Sequence, residues 1–382
     1  MKPDIAANRR SDTFLLGHAE NPEWEKAAEQ CLQQIGYIPP GANLGFLYAT
    51  SAYSGLLTDI TEFFRDETGI ESWTGTIGAG ICASGKEYYD TAAMAVMITT
   101  QPEDSFRLLP NITSAECSGL EELRPWLGNS GSHLAIVHGD PHNNAIYEII
   151  TTLADRLPGG FLVGGLTSSS ADHPQIAGRL NRKGLSGVVF NDRVPVATGL
   201  TQGCTPIAGK HLVTECEQNI IISLDDRPAL DVLYDEVGEL LARDIKRAAG
   251  YIFIGLPVPD SDTSDYLVRN LIGIDSRKKL LAIGDVVENG MKVEFCRRDG
   301  SSAWDDLRRM LIKLKSRITT PPRGGVYFSC MGRGQNLFGS DSVELRTIRQ
   351  ELGDFPLVGF FANGEISNNR LYGYTGVLTL FL

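Results

Sequence analysis

The sequence lacks several features that define broad classes of protein. No run of ~18 consecutive apolar residues occurs, so no transmembrane helix is predicted. The first residues, MKPDIAANRRSDTF, contain neither the apolar core nor the small-residue cleavage site of a secretion signal. We therefore expect a soluble, cytoplasmic protein that does not bind membranes.

Paired cysteines and an excess of positive charge are also missing. The seven cysteines are scattered and never form a CxxC pair, which argues against a disulfide framework and a thiolate zinc site. The net charge is −12 and the isoelectric point is about 5.1, so phosphates and anionic lipids are repelled. We expect no nucleic-acid partner, no metal and no cofactor.

The chain does contain enough apolar material for two domains, with 382 residues of which 42% are hydrophobic. Three stretches repeat the order strand, helix, strand, strand, and they begin with LGFLYAT at Leu44, HLAIVH at His133 and GGVYFSC near Gly325. A looser fourth copy begins near Asn219. These units predict an α/β fold, in the mixed α+β sense, with layered mixed sheets and two tightly docked halves.

The boundaries follow from the same pattern. We predict an N-terminal helical segment over residues 1–39, a first domain over 40–215 and a second over 216–382, with no flexible linker between them. Within the first unit, WTGTIGAGICAS and AAMAVMITT predict two strands of a hairpin that the polar turn GKEYYD closes.

The stretch YFSCMGRGQNLFG, Tyr327 to Gly339, offers the clearest chemistry. If it leaves a strand and leads into a helix near Ser340, Gly332 and Gly334 can adopt positive φ and their N–H groups can converge. The Arg333 guanidinium adds a fork that suits a carboxylate or a phosphate. Together these groups favour a small anion.

Glu365 follows Gly364 at the corresponding end of a later strand, where α/β folds place ligands. Its carboxylate could pair with Arg333 or receive the ammonium of a ligand. An amino acid would satisfy both groups. Hydroxyl side chains also fall at strand ends, at Thr50, Ser51 and residues 167–170, and could serve as ligand contacts or as ordinary turn residues.

Two alternatives stay open. Cys330 could be a thiolate nucleophile beside Arg333, with His133, His138 or His142 as its base, although no local signature links them. His138 or His142 could instead hold a haem iron, since one neutral imidazole is sufficient. An enzyme is the less favoured prediction.

The residues above resemble those of the FIST family of sensory domains. The resemblance in the second half rests on Cys330-Met-Gly-Arg-Gly334, Leu337-Phe-Gly339, Glu344 and the run from Pro356 to Ile366. In the first half it rests on Gly164-Gly-Leu-Thr-Ser-Ser169, Gly187-Val-Val-Phe190 and the segment 199–214, which leads into NIIISLDDRPALDVL. The resemblance identifies 40–215 as a FIST N-like domain and 216–382 as a FIST C-like domain.

Such a resemblance implies a small-ligand sensor, with amino acids among the ligands and, in one branch, haem that responds to nitric oxide. Because no signalling segment is attached, the signal would pass to a separate signalling protein, and a homo-oligomer is left open. The predicted ligand-binding residues are Cys330, Gly332, Arg333, Gly334, Asn336, Asn363, Gly364, Glu365, Thr167 and Ser168.

Overall fold

The computed structural model describes residues 13–128, 131–242, 251–258 and 266–382. The chain divides into two compact units. The first comprises the chain up to Leu200 together with Arg308–Leu371 and Gly376–Leu382, and the second comprises Thr201–Leu307 and Tyr372–Thr375. The predicted boundary at residue 215 lies within a strand of the second unit. Among the described residues, no helix is long and apolar enough to cross a membrane.

Three six-stranded mixed sheets form the body of the first unit, which confirms the predicted α/β class with layered mixed sheets. The first sheet has the order β1 (Phe14–Glu20), β6 (Ala93–Thr99), β2 (Leu44–Thr50), β3 (Trp73–Gly78), β10 (Gln175–Ala177), β11 (Arg179–Asn181). The second has the order β24 (Arg370–Tyr372), β23 (Glu365–Ser367), β9 (Phe161–Leu166), β8 (His133–Gly139), β12 (Leu185–Asn191), β7 (Phe106–Ile112). The third has the order β13 (Val196–Gln202), β25 (Thr375–Phe381), β21 (Gly324–Cys330), β22 (Leu357–Ala362), β4 (Gly80–Ala83), β5 (Lys86–Tyr89).

Helices cover the outer faces of these sheets. In α2, Leu57, Ile60 and Phe64 lie at helical spacing and are buried, and Gly69 ends the helix in the left-handed conformation. The helices of the described residues are α1 (Trp24–Ile35), α2 (Leu57–Thr68), α3 (Arg124–Leu127), α4 (Ile146–Arg156), α5 (Ala229–Ala242), α6 (Gly300–Arg317), α7 (Gln335–Phe338) and α8 (Val343–Leu352), with 3₁₀ turns at Ser51–Leu56 and Ser118–Glu122. The predicted helical N-terminal segment thus holds α1 and also the edge strand β1.

One parallel strand pair lies inside each of the three sheets: β2 with β3, β8 with β9, and β21 with β22. Each pair contains a glycine directly against the partner backbone. A Cβ on Gly75 would lie 1.8 Å from the carbonyl oxygen of Leu47, and the corresponding distances are 1.9 Å for Gly164 and Val137 and 1.7 Å for Gly359 and Tyr327. No side chain fits between the two strands at these positions, so the backbones approach each other equally closely in all three pairs. That they are copies of one unit stays a prediction.

The inner faces of the three sheets share a single hydrophobic core. The three glycines lie opposite Leu47, Val137 and Tyr327 of the partner strands. The next residues along those strands, Tyr48, His138 and Phe328, point into this core. Their ring centroids are 5.5 to 6.1 Å apart, and Tyr48 Oη lies 3.0 Å from His138 Nε2. Burial lowers the pKa of His138 to about 3, so the imidazole is neutral.

The second unit contains an antiparallel sheet that closes on itself. Its order is β14 (Cys204–Glu217), β20 (Lys292–Arg298), β17 (Ile252–Pro257), β18 (Tyr266–Asp275), β19 (Leu280–Ile283), β15 (Ile220–Leu224), β16 (Arg227–Pro228). The pairing of β14 with β15 closes the barrel, which is filled by residues such as Val213, Ile254 and Phe295.

Two pairings differ from the prediction. The strand β3 does not form a hairpin with β6; both flank β2, parallel on one side and antiparallel on the other. The turn at residues 84–85 joins β4 to β5 in the third sheet instead. The fourth copy also lacks a parallel pair, because β15 pairs antiparallel with its described neighbours. The strands β2, β3, β4 and β6 are buried along their whole length, and apolar runs without alternation do not specify a neighbour.

The Tyr48 to His138 hydrogen bond is testable with Tyr48→Phe. Removing the hydroxyl leaves a fully buried imidazole nitrogen without its partner, so the free energy of unfolding should fall by about 1–3 kcal/mol in chemical denaturation. Tyr147→Phe is the matched control, because Tyr147 is 52% exposed and its loss should have little effect. Equal stability of the two variants would contradict a structural role for this bond.

Candidate functional site

A cavity of about 530 Å³ opens in the first unit where the parallel strands end. Thr50 ends β2, Ala79 follows β3, Ser168 follows β9, Met331 follows β21 and Asn363 follows β22. The complete lining is Thr50, Ser51, Ala52, Ala79, Asp90, Thr91, Ala92, Ser168, Ser169, Ser170, Met331 and Asn363. Ligands commonly bind at the carboxyl ends of strands in α/β sheets, so this cavity is the candidate site.

The lining is polar, small and negatively charged. It offers six hydroxyls, one amide and the carboxylate of Asp90, and none of the twelve lining residues is a lysine, arginine or histidine. Ser170, Asn363 and Asp90 are exposed, and no hydrogen bond of their side chains occurs among the described residues. These three side chains can therefore bind a ligand without giving up an internal partner.

Other hydroxyls of the lining hold the cavity wall together. Thr50 Oγ1 donates to the Thr91 carbonyl at 2.6 Å and accepts from the Ala93 amide at 3.0 Å. Ser168 Oγ accepts from the Ala79 amide at 2.8 Å and donates to the Phe361 carbonyl. Ser168 thus joins the connection after β9 of the second sheet to β22 of the third sheet and to Ala79 after β3 of the first, whereas Thr50 acts within the first sheet.

The bend that follows β21 binds a carboxylate, but this carboxylate is that of Glu344 in α8. Arg333 Nε donates to Glu344 Oε1 at 2.7 Å, and Arg333 Nη2 lies 2.6 Å from the same oxygen. The Gly334 amide donates to Glu344 Oε2 at 3.1 Å. Both charged side chains are fully buried. The guanidinium of Arg333 therefore pairs with Glu344, and a contact with Glu365 stays a prediction.

Two further donors complete the environment of Glu344. Tyr327 Oη donates to Oε1 at 2.6 Å and Ser329 Oγ donates to Oε2 at 3.0 Å. Gly334 has φ +50°, and a Cβ there would lie 1.7 Å from Tyr89 Oη. Arg333 and Gly334 are therefore required by this bend: glycine at 334 leaves room for Tyr89, and the arginine neutralises a buried carboxylate.

Glu87 lies beside the same cluster. Burial and the neighbouring Glu344 carboxylate raise the pKa of Glu87 to about 8. Tyr89 Oη donates to Glu87 Oε2 at 3.2 Å, and burial, together with Glu87, raises the pKa of Tyr89. At neutral pH Glu87 is therefore mostly protonated, so a single arginine neutralises the one charged carboxylate of the pair.

The other predicted residues of the bend have internal contacts. Cys330 is half-buried at the end of β21, and its Sγ accepts from the Gly332 amide at 3.4 Å. Asn336 Nδ2 donates to the Met331 carbonyl at 2.9 Å, which closes the bend. Of this segment, Met331 lines the cavity, and the sequence analysis did not select it.

The predicted residues near β9 divide between cavity and core. Ser168 and Asn363 line the cavity. Thr167 is fully buried, with its Oγ1 2.8 Å from Thr76 Oγ1. Gly364 has φ +114° and its carbonyl accepts from the Leu166 amide, while Glu365 is buried in β23 opposite Gly165. A direct ligand contact of Thr167, Gly364 or Glu365 stays a prediction.

The two histidines considered for haem occupy different environments. His138 lies in the shared core, where it is bonded to Tyr48 and packed against Phe328 and Phe360. A haem iron at His138 stays a prediction. His142 is exposed, and its ring centroid lies 4.5 Å from that of His173. The enzymatic alternative, with a histidine as the base for Cys330, stays a prediction.

Asp90 and His173 were missed by the sequence analysis. Asp90 belongs to the turn GKEYYD, whose polar character indicated only a connection between strands. Ser169 and Ser170 extend a run of hydroxyl residues that was noted as a group of strand-end candidates. Nothing local marks His173, which follows Asp172 in a loop.

Two family models match the chain in succession. The FIST N domain matches residues 43–227, and the FIST C domain matches residues 229–368. The lining of the cavity draws on both matches, because Thr50 and Ser168 belong to the first and Met331 and Asn363 to the second.

Similar proteins extend over nearly the whole chain. An uncharacterized protein of Mycobacterium tuberculosis is 30% identical over 380 residues, which cover 96% of this chain and 99% of the relative. An uncharacterized protein of Mycobacterium bovis is 27% identical over 369 residues, which cover 94% of each chain. The similarity therefore includes both family halves.

The buried ion pair gives the first prediction for this region. Arg333→Met leaves Glu344 as an uncompensated buried carboxylate and should lower the free energy of unfolding by about 3–5 kcal/mol. The double variant Arg333→Met/Glu344→Gln should be more stable than this single variant, since it removes the charge. Arg349→Met, in an exposed pair with Asp354, is the control and should change stability by less than about 1 kcal/mol. A double variant less stable than Arg333→Met would contradict the electrostatic explanation.

Glu87→Gln tests the protonated carboxyl. The folded chain keeps this proton up to about pH 8, whereas the unfolded chain releases it near the ordinary value of 4.5. The resulting stabilisation is complete below about pH 4.5 and is lost as the pH rises to about 8. The variant should therefore lose less thermal stability than the wild type between about pH 5 and about pH 8.5. The exposed Glu62→Gln should keep the wild-type slope, and an unchanged slope in Glu87→Gln would refute the assignment.

Proposed function

The chain belongs to the FIST family, and we propose that it is a sensor whose small ligand occupies the cavity lined by Asp90, Ser168–Ser170 and Asn363. FIST domains are associated with sensory signal transduction and small-ligand binding. The observation that carries the proposal is the cavity itself. Its volume of about 530 Å³ suits a small molecule, and three of its polar side chains have no internal hydrogen bond among the described residues.

An amino acid is the ligand class that we propose. Asp90 offers a carboxylate to an ammonium group, and the hydroxyls of Ser169 and Ser170 with the Asn363 amide offer donors to a carboxylate. A simple carboxylate is less suited, since the lining provides no cationic side chain to balance its charge. Direct binding by Arg333 is not part of this proposal, because its guanidinium is buried against Glu344.

The signal would pass to a separate protein through the connections that surround the ligand. Residues of both family halves line the cavity, so a bound ligand would hold the connection after β9 to those after β21 and β22. A ligand that binds one arrangement of these connections more tightly shifts the population toward it. The partner would then recognise the arrangement that the ligand favours.

Binding is tested by a thermal-shift screen of the common amino acids on the purified full chain, followed by calorimetry. A true ligand at a hundredfold excess over its Kd should stabilise the protein by about 2.7 kcal/mol. Derivatives of the same amino acid that lack either the ammonium or the carboxylate charge identify which group is recognised.

Asp90→Asn is the decisive variant, because asparagine tolerates the positive φ of 52° at this position. Loss of the charged hydrogen bond should weaken binding by about 1.5–3 kcal/mol, about tenfold to a hundredfold. Asp66→Asn, an exposed change in α2, should bind as the wild type does. Equal affinity of Asp90→Asn and wild type, or stabilisation by simple carboxylates alone, would refute an ammonium contact at Asp90.

A further inference from the structure

Asp140, His142 and His173 bring three metal-binding side chains together outside the lining of the cavity. Asp140 and His142 follow β8, and His173 lies in the connection between β9 and β10. One candidate ligand atom from each residue lies within 4.8 Å of those of the other two. Two loops that are distant in sequence thus converge on one point.

The carboxylate of Asp140 is held in place by the backbone. Its Oδ1 accepts from the His142 amide at 2.9 Å, and its Oδ2 accepts from the Lys183 amide at 3.1 Å. Asp140 is only 6% exposed. Each carboxylate oxygen has two lone-pair sites, so one site on each oxygen is left for a cation.

His173 provides an independent observation. The residue is 8% exposed, and its Nδ1 is buried without a hydrogen-bond partner. A buried polar nitrogen without a partner is unfavourable, so native structures rarely leave one unless another group binds there. A metal ion bound through Nδ1 would satisfy this nitrogen.

His142 is the adjustable member of the group. Its Nδ1 lies 3.7 Å from Asp140 Oδ1, and its side chain is 77% exposed. Ligand atoms bound to one ion at about 2.0–2.2 Å are at most about 4 Å apart, so the group must contract slightly to bind. Rotation of the exposed imidazole can supply this contraction without disturbing the core.

We propose that Asp140, His142 and His173 form a binding site for a divalent transition metal ion of the zinc class. Two imidazoles and one carboxylate suit Zn²⁺ and its neighbours, whereas Mg²⁺ and Ca²⁺ prefer oxygen ligands throughout. Three protein ligands leave at least one coordination position for water or another small ligand. The site requires only neutral imidazoles and the ionised carboxylate, and it does not depend on the amino-acid ligand proposed above.

The test uses the full chain without a histidine tag, stripped of metal with a chelator. Zn²⁺ is titrated by calorimetry, and Co²⁺ serves as a spectroscopic probe whose visible bands report imidazole and carboxylate ligation. We expect one ion per chain and an increase in melting temperature with Zn²⁺ that Mg²⁺ does not produce.

Three variants identify the ligands. His142→Ala and His173→Gln should each weaken Zn²⁺ binding at least about tenfold, since the loss of groups that only orient ligands already weakens binding by that factor. Asn144→Ala, an exposed change two residues from His142, should bind as the wild type does. His142→Ala alone is sufficient if His173→Gln does not fold, because the His142 side chain is exposed.

Several outcomes would overturn the proposal. No Zn²⁺ binding by the wild type is one, and unchanged affinity in His142→Ala is another. Binding that is lost in Cys330→Ser or Cys216→Ser, the two cysteines that are not fully buried, but retained in His142→Ala would assign the metal to thiolates instead.

Discussion

The geometry of the first unit depends on the contact of three parallel strand pairs around one core. In each pair a glycine lies against the partner backbone, and the next side chain along the partner strand points inward. Tyr48, His138 and Phe328 meet there. Because the three pairs are fixed at the same level in the core, their carboxyl ends converge as well. The residues that follow the strands then surround the cavity, which is a consequence of the packing rather than of any single loop.

The buried Arg333 and Glu344 pair determines how the third of these ends is shaped. Removing two charges from water is unfavourable in free energy. Hydrogen bonds to the Glu344 carboxylate from Tyr327, Ser329 and the Gly334 amide offset this desolvation penalty. The pair joins the bend after β21 to α8. With Asn336 closing the bend on the Met331 carbonyl, Met331 is held at the cavity, whereas the guanidinium of Arg333 is buried against Glu344. The charged pair therefore supports the site from inside the protein.

Much of this architecture could be predicted from the sequence. The apolar runs at Leu44, His133 and Gly325 are the central strands of the three sheets, and Ser168 and Asn363 were selected as site residues and line the cavity. The pairing of Arg333 with Glu344 was not predicted, because the sequence does not show which carboxylates reach the guanidinium and only the packing of α8 brings Glu344 there. The false hairpin of β3 and β6 has the same origin, because both strands are buried and neither carries an alternation that would reveal its neighbour. Asp90 and His173 lie in loops, where position depends on strands that are far away in sequence.

The connection between β9 and β10 links the two proposals made for this protein. Ser168, Ser169 and Ser170 line the cavity, and His173 follows three residues later in the same connection. A metal ion held by His173 and a ligand held by these serines would both contact one segment. A position of this segment that suits both would be favoured by either, so the two would bind with a shared coupling free energy. Coupling of this kind is reciprocal, so a metal that raises the affinity for the ligand must have its own affinity raised by the same factor. A sensor built in this way would respond to its ligand according to the metal available, without any contact between the two.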